Sequence, residues 1–396
     1  MTYFDLKHVP KNEVVATFEL TPCNKGVASK VALESSVGTW TGVKGTVEKL
    51  KAKVFYMKKG FIKIGYPVEL FEKGNLPQLL SSVAGNIFGM KVLNSLKLVN
   101  LDFPKGYVQF FKGPAFGLQG VLEYYGISER PVLGTIVKPK IGLNERNHAK
   151  RAYESWIGGM DFVKDDENLT SMRFNNFEKR VVEVLKIQKK AERETGSKKL
   201  YAFNVTASVS EMIERAKFVK KNGGRCVMID VLTAGIGAVQ ELRNANLGLI
   251  IHAHRAMHAA IGRGSFGIDF LVWCKLLRLA GVDQLHAGTV VGKMKGDRQD
   301  VFGCYNFLRK KWLSIKPVMP VASGGLHPGH VPFLVENFGI EVVFQFGGGV
   351  HGHPFGTVSG SRAVVQAVQA SINRVRLKNY AEKHEELKQA LKKWSR

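Results

Sequence analysis

The chain has little cysteine. Only Cys23, Cys226, Cys274 and Cys304 occur in 396 residues. None is paired at CxxC or zinc-finger spacing, so a disulfide scaffold and a cysteine metal finger are both disfavoured, and a reduced interior is expected. No run of about 18 apolar residues occurs, so no membrane span is expected. The opening MTYFDLKHVPKNEVV lacks an apolar run of the signal-peptide kind, which makes a cytoplasmic protein the expectation. No low-complexity tract interrupts the chain, and 45% of it is apolar. That is enough for a sizeable core, and more than one domain is expected.

Acidic residues are also scarce. Against 58 Lys and Arg stand 33 Asp and Glu, a net charge of +25. The bland account is a solvated basic surface. The sharper one is steering of an anionic partner, either nucleic acid or a phosphorylated small molecule. No basic-aromatic stacking motif or nucleic-acid module accompanies the charge, so no nucleic-acid partner is expected.

Two patterns divide the chain. Residues 1–113 mix short alternating runs, VVATFEL, KAKVFYM and GFIKIGYP, with a helix-like LPQLLSSVAGNIFGM. They read as a small α+β module. Residues 114–396 alternate β-branched runs with helical stretches. Eight runs stand out: GTIVKPK, DFVKDD, LYAFNVT, RCVMIDVL, LGLIIHAHR, DQLHAGTVV, KPVMPVASGG and VVFQFGGGV. Eight strand–helix units over this length predict an α/β fold, a (β/α)8 barrel. A doubly wound sheet competes, but no GxGxxG follows the first strand. The closing LKNYAEKHEELKQALKKWSR is expected as one amphipathic helix.

A barrel keeps its reactive groups at the C-terminal ends of its strands. Six of the eight runs end in such groups: Lys138 and Lys140; Lys164 with Asp166 and Glu167; His254 and Arg255; His286 and then Lys293; Ser323-Gly324-Gly325; Gly347-Gly348. The paired glycine turns fall where barrels commonly bind phosphate. Arg255 and His286 are candidates for a second phosphate. Asp166 and Glu167 suit a hard cation such as Mg²⁺. Lys164 and Asp166 share one face of a strand, as i and i+2 positions do. Lys164 either neutralises these acids in a salt bridge or has reacted with CO₂ to give an anionic carbamate. Spacing alone leaves both open.

ESSVGTWT, LPQLLSSVAGNIFGM, KPKIGL, GGMDFVKDDENLTS, HAHRAMHAA, HAGTVVGK, ASGGLHPGH and QFGGGVHGHPFG follow one another in this order. Together they resemble the large chain of ribulose-1,5-bisphosphate carboxylase/oxygenase (RuBisCO), over nearly the whole sequence. The resemblance implies an N-terminal α+β domain and a TIM barrel. It implies Mg²⁺ held by Lys164, Asp166 and Glu167, with CO₂ activating Lys164 as a carbamate. The substrates it implies are ribulose 1,5-bisphosphate with CO₂ or O₂.

The same resemblance assigns roles. Lys164 takes the C3 proton, Lys138 handles late protonation, and Lys140 orients Lys138. His254 assists hydration. Lys293 closes over the new carboxylate, with Glu34 as its ion-pair partner. Thr39, Trp40, Gly324, Gly325, Gln345, Gly347 and Gly348 lie in the stretches that hold the substrate and one phosphate. Arg255 and His286 match the other phosphate, Ser323 a substrate hydroxyl, and Asn86 a position near metal and CO₂. Glu34, Thr39, Trp40 and Asn86 would reach a neighbour's barrel, so a homodimer or an assembly of dimers is implied.

Ile136, Lys295 and the pair Val350-His351 depart from the plant-type pattern. They point to the archaeal form, which has no small subunit and is associated with AMP and nucleoside salvage. A relative that enolises another phosphorylated sugar is the competing enzyme. A basic nucleic-acid-binding protein is the competing non-enzyme.

Overall fold

The computed structural model describes residues 3–38, 48–293 and 296–394. Thr39, Trp40 and Lys295 lie outside the described residues.

The N-terminal sheet contains β1 (Glu13–Thr21), β2 (Lys53–Lys58), β3 (Phe61–Pro67) and β4 (Ser95–Asp102). In β1, Val14, Ala16, Phe18 and Leu20 are buried and alternate with more exposed neighbours. This is the period of two that a half-covered strand requires. The barrel strands are β5 (Val132–Ile136), β6 (Phe162–Lys164), β7 (Leu200–Asn204), β8 (Cys226–Asp230) and β9 (Ile250–His254). A short strand, β10 (Phe266–Ile268), intervenes before β11 (Gln284–His286), β12 (Met319–Ser323) and β13 (Val343–Phe346).

Eight of these close into a parallel barrel in the order β11-β12-β13-β5-β6-β7-β8-β9. They are the eight runs read from the sequence. β7 and β8 are buried at every position, as strands covered on both faces must be. The expected α/β barrel behind an α+β module is the fold observed.

Asparagine and aspartate start several helices. Asn24, Asn75, Asn144, Asn176 and Asp297 each accept a backbone N–H of the first turn, the usual capping chemistry. Gly126 and Gly196 end two helices in the left-handed conformation. The helix Gly117–Tyr125 plugs one end of the barrel. Its Leu118, Val121 and Tyr125 pack with Val132, Leu200, Cys226, Ile250, Met319 and Val343, residues near the strand starts. Asp283 anchors that plug by accepting from Phe116 N, Gly117 N and Ile251 N. The opposite end, where the strands finish, is left for chemistry.

Two features differ from expectation. The closing segment is two helices, Leu377–Ala381 and Glu385–Trp394. His384 breaks it: its Nδ1 lies 2.7 Å from Tyr380 O, and its own N–H donates to Ala381 O instead. β10, part of the barrel half of the chain, pairs in parallel with β4 and joins the N-terminal sheet. A tripeptide strand carries too little periodicity to be seen in sequence. The N-terminal sheet therefore takes one strand from beyond residue 113.

Candidate active site

Lys164 ends β6 and is buried. Its Nζ donates to Asp165 O (3.0 Å) and to Met228 Sδ (3.3 Å), and lies 3.9 Å from Glu167 Oε2. Burial lowers the amine below the usual lysine range, against the pull of Glu167, Asp166, Asp230 and Asp165.

The three acids after Lys164 do different work. Asp165 turns into the wall of the barrel. It accepts from Tyr201 Oη (2.7 Å), Arg180 Nη2 (3.1 Å) and Asn204 N (2.8 Å), with His148 Nε2 at 3.2 Å. Burial by itself would raise its carboxyl. Arg180, His148 and Tyr201 outweigh that and hold it at about 2. Asp166 and Glu167 stay at the mouth. Asp166 Oδ2 pairs with Lys138 Nζ at 2.6 Å, and its Oδ1 accepts from Asn168 N and Nδ2. Glu167 Oε2 faces His254 Nε2 at 3.7 Å. Lys138, Lys164, Asp166, Glu167 and His254 thus form one cluster over three strand ends.

Two residues of this cluster's support were passed over in the sequence. Asp230 Oδ1 lies 2.9 Å from His254 Nδ1. Asn204 Nδ2 holds the backbone oxygens of Asp166 and Glu167. Both end barrel strands, β8 and β7, so the strand-end rule that found the others also points to them. His252, at the same strand end as His254 within HAHR, was read in the sequence without a role. Its Nδ1 lies 2.7 Å from Gln284 Oε1 and its Nε2 lies 2.8 Å from His286 Nε2. His286 Nδ1 in turn lies 2.7 Å from Ser323 Oγ.

The glycine turns gather beside this cluster. Gly324 and Gly325 have φ of 124° and 79°, a region that only glycine enters freely. The loop after β11 folds onto them: Lys293 N donates to Gly324 O, and a β-carbon added at Gly325 would lie 2.7 Å from Lys293 Cγ. A β-carbon at Gly347 would meet Lys138 Cε at 3.5 Å, so the last strand's turn borders the first strand's lysine. Gly348 follows at the start of a single helical turn, Gly348–His351. The Arg255 guanidinium stacks 4.5 Å over Phe270 and packs on Gly288.

Four expected residues are not brought to the cluster. Lys140 is exposed and makes no ion pair among the described residues. Gln345 is buried inside the barrel across Gly134, its Nε2 donating to Thr135 O. Glu34 and Asn86 share a separate cleft of about 390 Å³ with Gly89, Met90, Lys91 and Val92, and no residue of the barrel mouth lines it.

With Lys164 as a free amine, no group of three acidic, histidine or cysteine ligands converges among the described residues. A carbamate on Lys164 would add two anionic oxygens beside Asp166 and Glu167. The donor set is then all oxygen, as a hard divalent cation prefers. With that addition the residues fit Mg²⁺.

A closed parallel barrel, an accompanying α+β sheet, and a lysine–carboxylate cluster at the strand ends define a TIM-barrel enzyme with a second domain. Residues 117–394 match the family model "Ribulose bisphosphate carboxylase large chain, catalytic domain", and residues 2–107 match its N-terminal domain. The chain belongs to the RuBisCO large-chain family of enzymes. The "Ribulose bisphosphate carboxylase" of Methanocaldococcus jannaschii is 46% identical, over all of both chains. Octameric RuBisCO from Pyrococcus horikoshii OT3 superposes with TM-score 0.96 at 45% identity, covering 99% of this chain and 96% of that one. The dimeric archaeal RuBisCO of Hyperthermus butylicus gives 0.93 at 42%, covering 99% and 98%.

Proposed function

We propose that this protein carboxylates ribulose 1,5-bisphosphate to two molecules of 3-phosphoglycerate, with O₂ as the competing reactant. The observation that carries this reading is the buried Lys164 amine beside Asp166 and Glu167, with Lys138 and His254 in the same cluster. A neutral, desolvated amine is a nucleophile. Lys164 attacks CO₂, a C–N bond forms, and one proton leaves to solvent. Carbamylated Lys164, Asp166 and Glu167 would hold Mg²⁺, which when bound would supply Lewis-acid stabilisation of charge on the substrate's oxygens.

The Lys164 carbamate takes the C3 proton of the bisphosphate, and CO₂ adds at C2 of the resulting enediolate. His254, oriented by Asp230, assists addition of water at C3. The C2–C3 bond breaks, and Lys138 returns a proton to the product carbanion. Lys293 covers the new carboxylate and excludes water. Gly324, Gly325, Gly347 and Gly348 offer close backbone approach to one phosphate, and Arg255 offers its guanidinium to the other. Lys140 tunes Lys138 from outside. Glu34 and Asn86 act on a partner subunit's barrel, so the working unit is a homodimer or an assembly of dimers without small subunits. The net charge of +25 steers the bisphosphate. A place in AMP and nucleoside salvage belongs to this proposal through the resemblance of the sequence to the archaeal form.

The test is fixation of radiolabelled bicarbonate into acid-stable product, after preincubation with bicarbonate and Mg²⁺, with Lys164→Met alongside. Two 3-phosphoglycerates per bisphosphate, absent in the variant, are expected. No fixation by folded, dimeric protein rejects the carboxylase. Solvent-proton exchange into the bisphosphate would then identify an enolase-type relative.

A further inference from the structure

His351, one of the positions that depart from the plant-type pattern, has no part in the function proposed above. It ends the single helical turn Gly348–His351 that follows β13. Its Nε2 lies 3.2 Å from Thr135 Oγ1 on β5, and its Nδ1 lies 3.2 Å from Thr357 Oγ1 in the helix Gly356–Ile372. Thr135 Oγ1 donates in turn to Phe346 O at 2.5 Å, and Arg151 Nη1 donates to Thr357 Oγ1 at 3.4 Å. Both threonines are buried.

The two ends of this row fix the same direction. Phe346 O only accepts, so the single proton of Thr135 is spent there and its oxygen accepts from His351. The Arg151 guanidinium only donates, so Thr357 accepts from it and keeps its own proton for His351 Nδ1. His351 is therefore protonated on Nε2 alone. Desolvation, with Arg151, Lys138 and His148 nearby, pushes the ring down to about 4 against the pull of the Ile136 backbone. The ring is neutral at neutral pH.

The row ties two strand ends together. Phe346 ends β13 immediately before Gly347, and Thr135 precedes Ile136, the last residue of β5. A β-carbon at Gly347 would lie 3.8 Å from Ile136 Cδ1 and 3.5 Å from Lys138 Cε. On its other side the turn presses on the loop after β12, where a β-carbon at Gly349 would collide with Leu326 O. Gly348, between them, has room for a β-carbon, so this part of the turn is open.

We propose that His351 is a positioning residue: by holding the turn of the last barrel strand to Thr135 of the first, it sets where the backbone N–H groups of Gly347 and Gly348 stand relative to Lys138, and so where a bound phosphate monoester sits. His351 itself touches no substrate in this role. The phosphate part of this inference rests on the function proposed above; the direction of the row does not.

Three measurements test it. The first uses resting wild-type protein with ¹⁵N-labelled histidine, the His351 signals being assigned by their loss in His351→Gln. A protonated Nε2 and bare Nδ1 are expected. The opposite tautomer overturns the proposal whether or not the protein fixes CO₂. The second is calorimetric binding of ribulose 1,5-bisphosphate without bicarbonate or Mg²⁺. Kd should rise roughly fivefold in His351→Leu, as for a lost neutral hydrogen bond, and stay within about twofold of wild type in His351→Gln, whose amide can still donate to Thr135. Thr135→Val should match His351→Leu, and the double variant should bind no worse than either single one, because each removes the same link. An unchanged Kd in His351→Leu, or effects that multiply in the double variant, would overturn the proposal. Should His351→Leu fail to fold, the nearly isosteric Thr135→Val decides, an unchanged Kd again rejecting it. The third is steady-state fixation, in which KM should rise by the same factor with kcat changed much less, as for binding lost equally in ground and transition states. A wild type that binds the bisphosphate without fixing CO₂ rejects the carboxylase and leaves the binding comparison standing. One that does not bind it rejects both.

Discussion

Lys138 Nζ lies 2.6 Å from Asp166 Oδ2, so the first barrel strand's lysine occupies a carboxylate proposed to hold the metal. The two uses compete. In the proposed function Asp166 would hold the metal, and Lys138 would have to leave that oxygen to serve as the proton donor. The lysine side chain is about one-third exposed, so the pair can open without a large desolvation cost.

Lys138→Met should therefore bind Mg²⁺ more tightly while losing turnover. A fewfold fall in the Mg²⁺ midpoint for carbamate formation is expected, read by ¹³CO₂ labelling of the lysine. Turnover should fall by roughly 10²-fold or more, as for a lost general acid. A raised Mg²⁺ midpoint would show that the lysine helps the metal instead of opposing it.

Lys164 makes activation depend on pH. Burial lowers its amine, so the folded protein pays a penalty while the amine is protonated. That penalty is full below the folded pKa and disappears as pH rises toward about 10.4, the unfolded value. Stability should rise with pH across this window, and the rise should vanish in Lys164→Met. At fixed dissolved CO₂, the carbamylation rate should increase roughly tenfold per pH unit below the folded pKa, since only the neutral amine reacts. Denaturation midpoints and ¹³CO₂ uptake between about pH 7 and about pH 10 check both. A flat uptake rate would mean that amine ionisation does not limit activation.

Much of this was legible in the sequence, and the exceptions have physical causes. The eight barrel strands are buried on both faces and read as apolar runs. Lys164, Asp166 and Glu167 follow one of them directly. What could not be read was the division of labour among three adjacent acids. Asp165 is buried because Arg180, Tyr201 and His148 meet it from two helices and a neighbouring strand, and no local spacing reports such a meeting. Gln345 illustrates the reverse. It stands beside the last glycine turn in sequence, yet strand alternation turns it into the barrel over Gly134.

Asp165 should be a structural keystone and not a ligand. Its carboxyl is held at about 2, below the usual unfolded value of about 3.9. The stabilisation is present above the unfolded value and is lost as pH falls through about 2. Arg180→Met would leave the buried carboxylate without its cation and should cost about 3–5 kcal/mol. Urea denaturation measures this. A loss below about 1 kcal/mol would show that His148, Tyr201 and Asn204 suffice on their own.

The cleft holding Glu34 and Asn86 is lined by no residue of the barrel mouth, and the proposed function has both act on a second chain's barrel. Glu34→Gln and Lys164→Met should each give inactive homodimers. Unfolded and refolded together, they should recover activity, because a mixed dimer combines one variant's Glu34 with the other's Lys164 at one of its two sites. Random pairing makes half the dimers mixed, so recovery to about a quarter of wild type is expected. A mixture that stays inactive, with mixed dimers demonstrated by mass spectrometry, would place Glu34 on its own chain's barrel or outside the reaction.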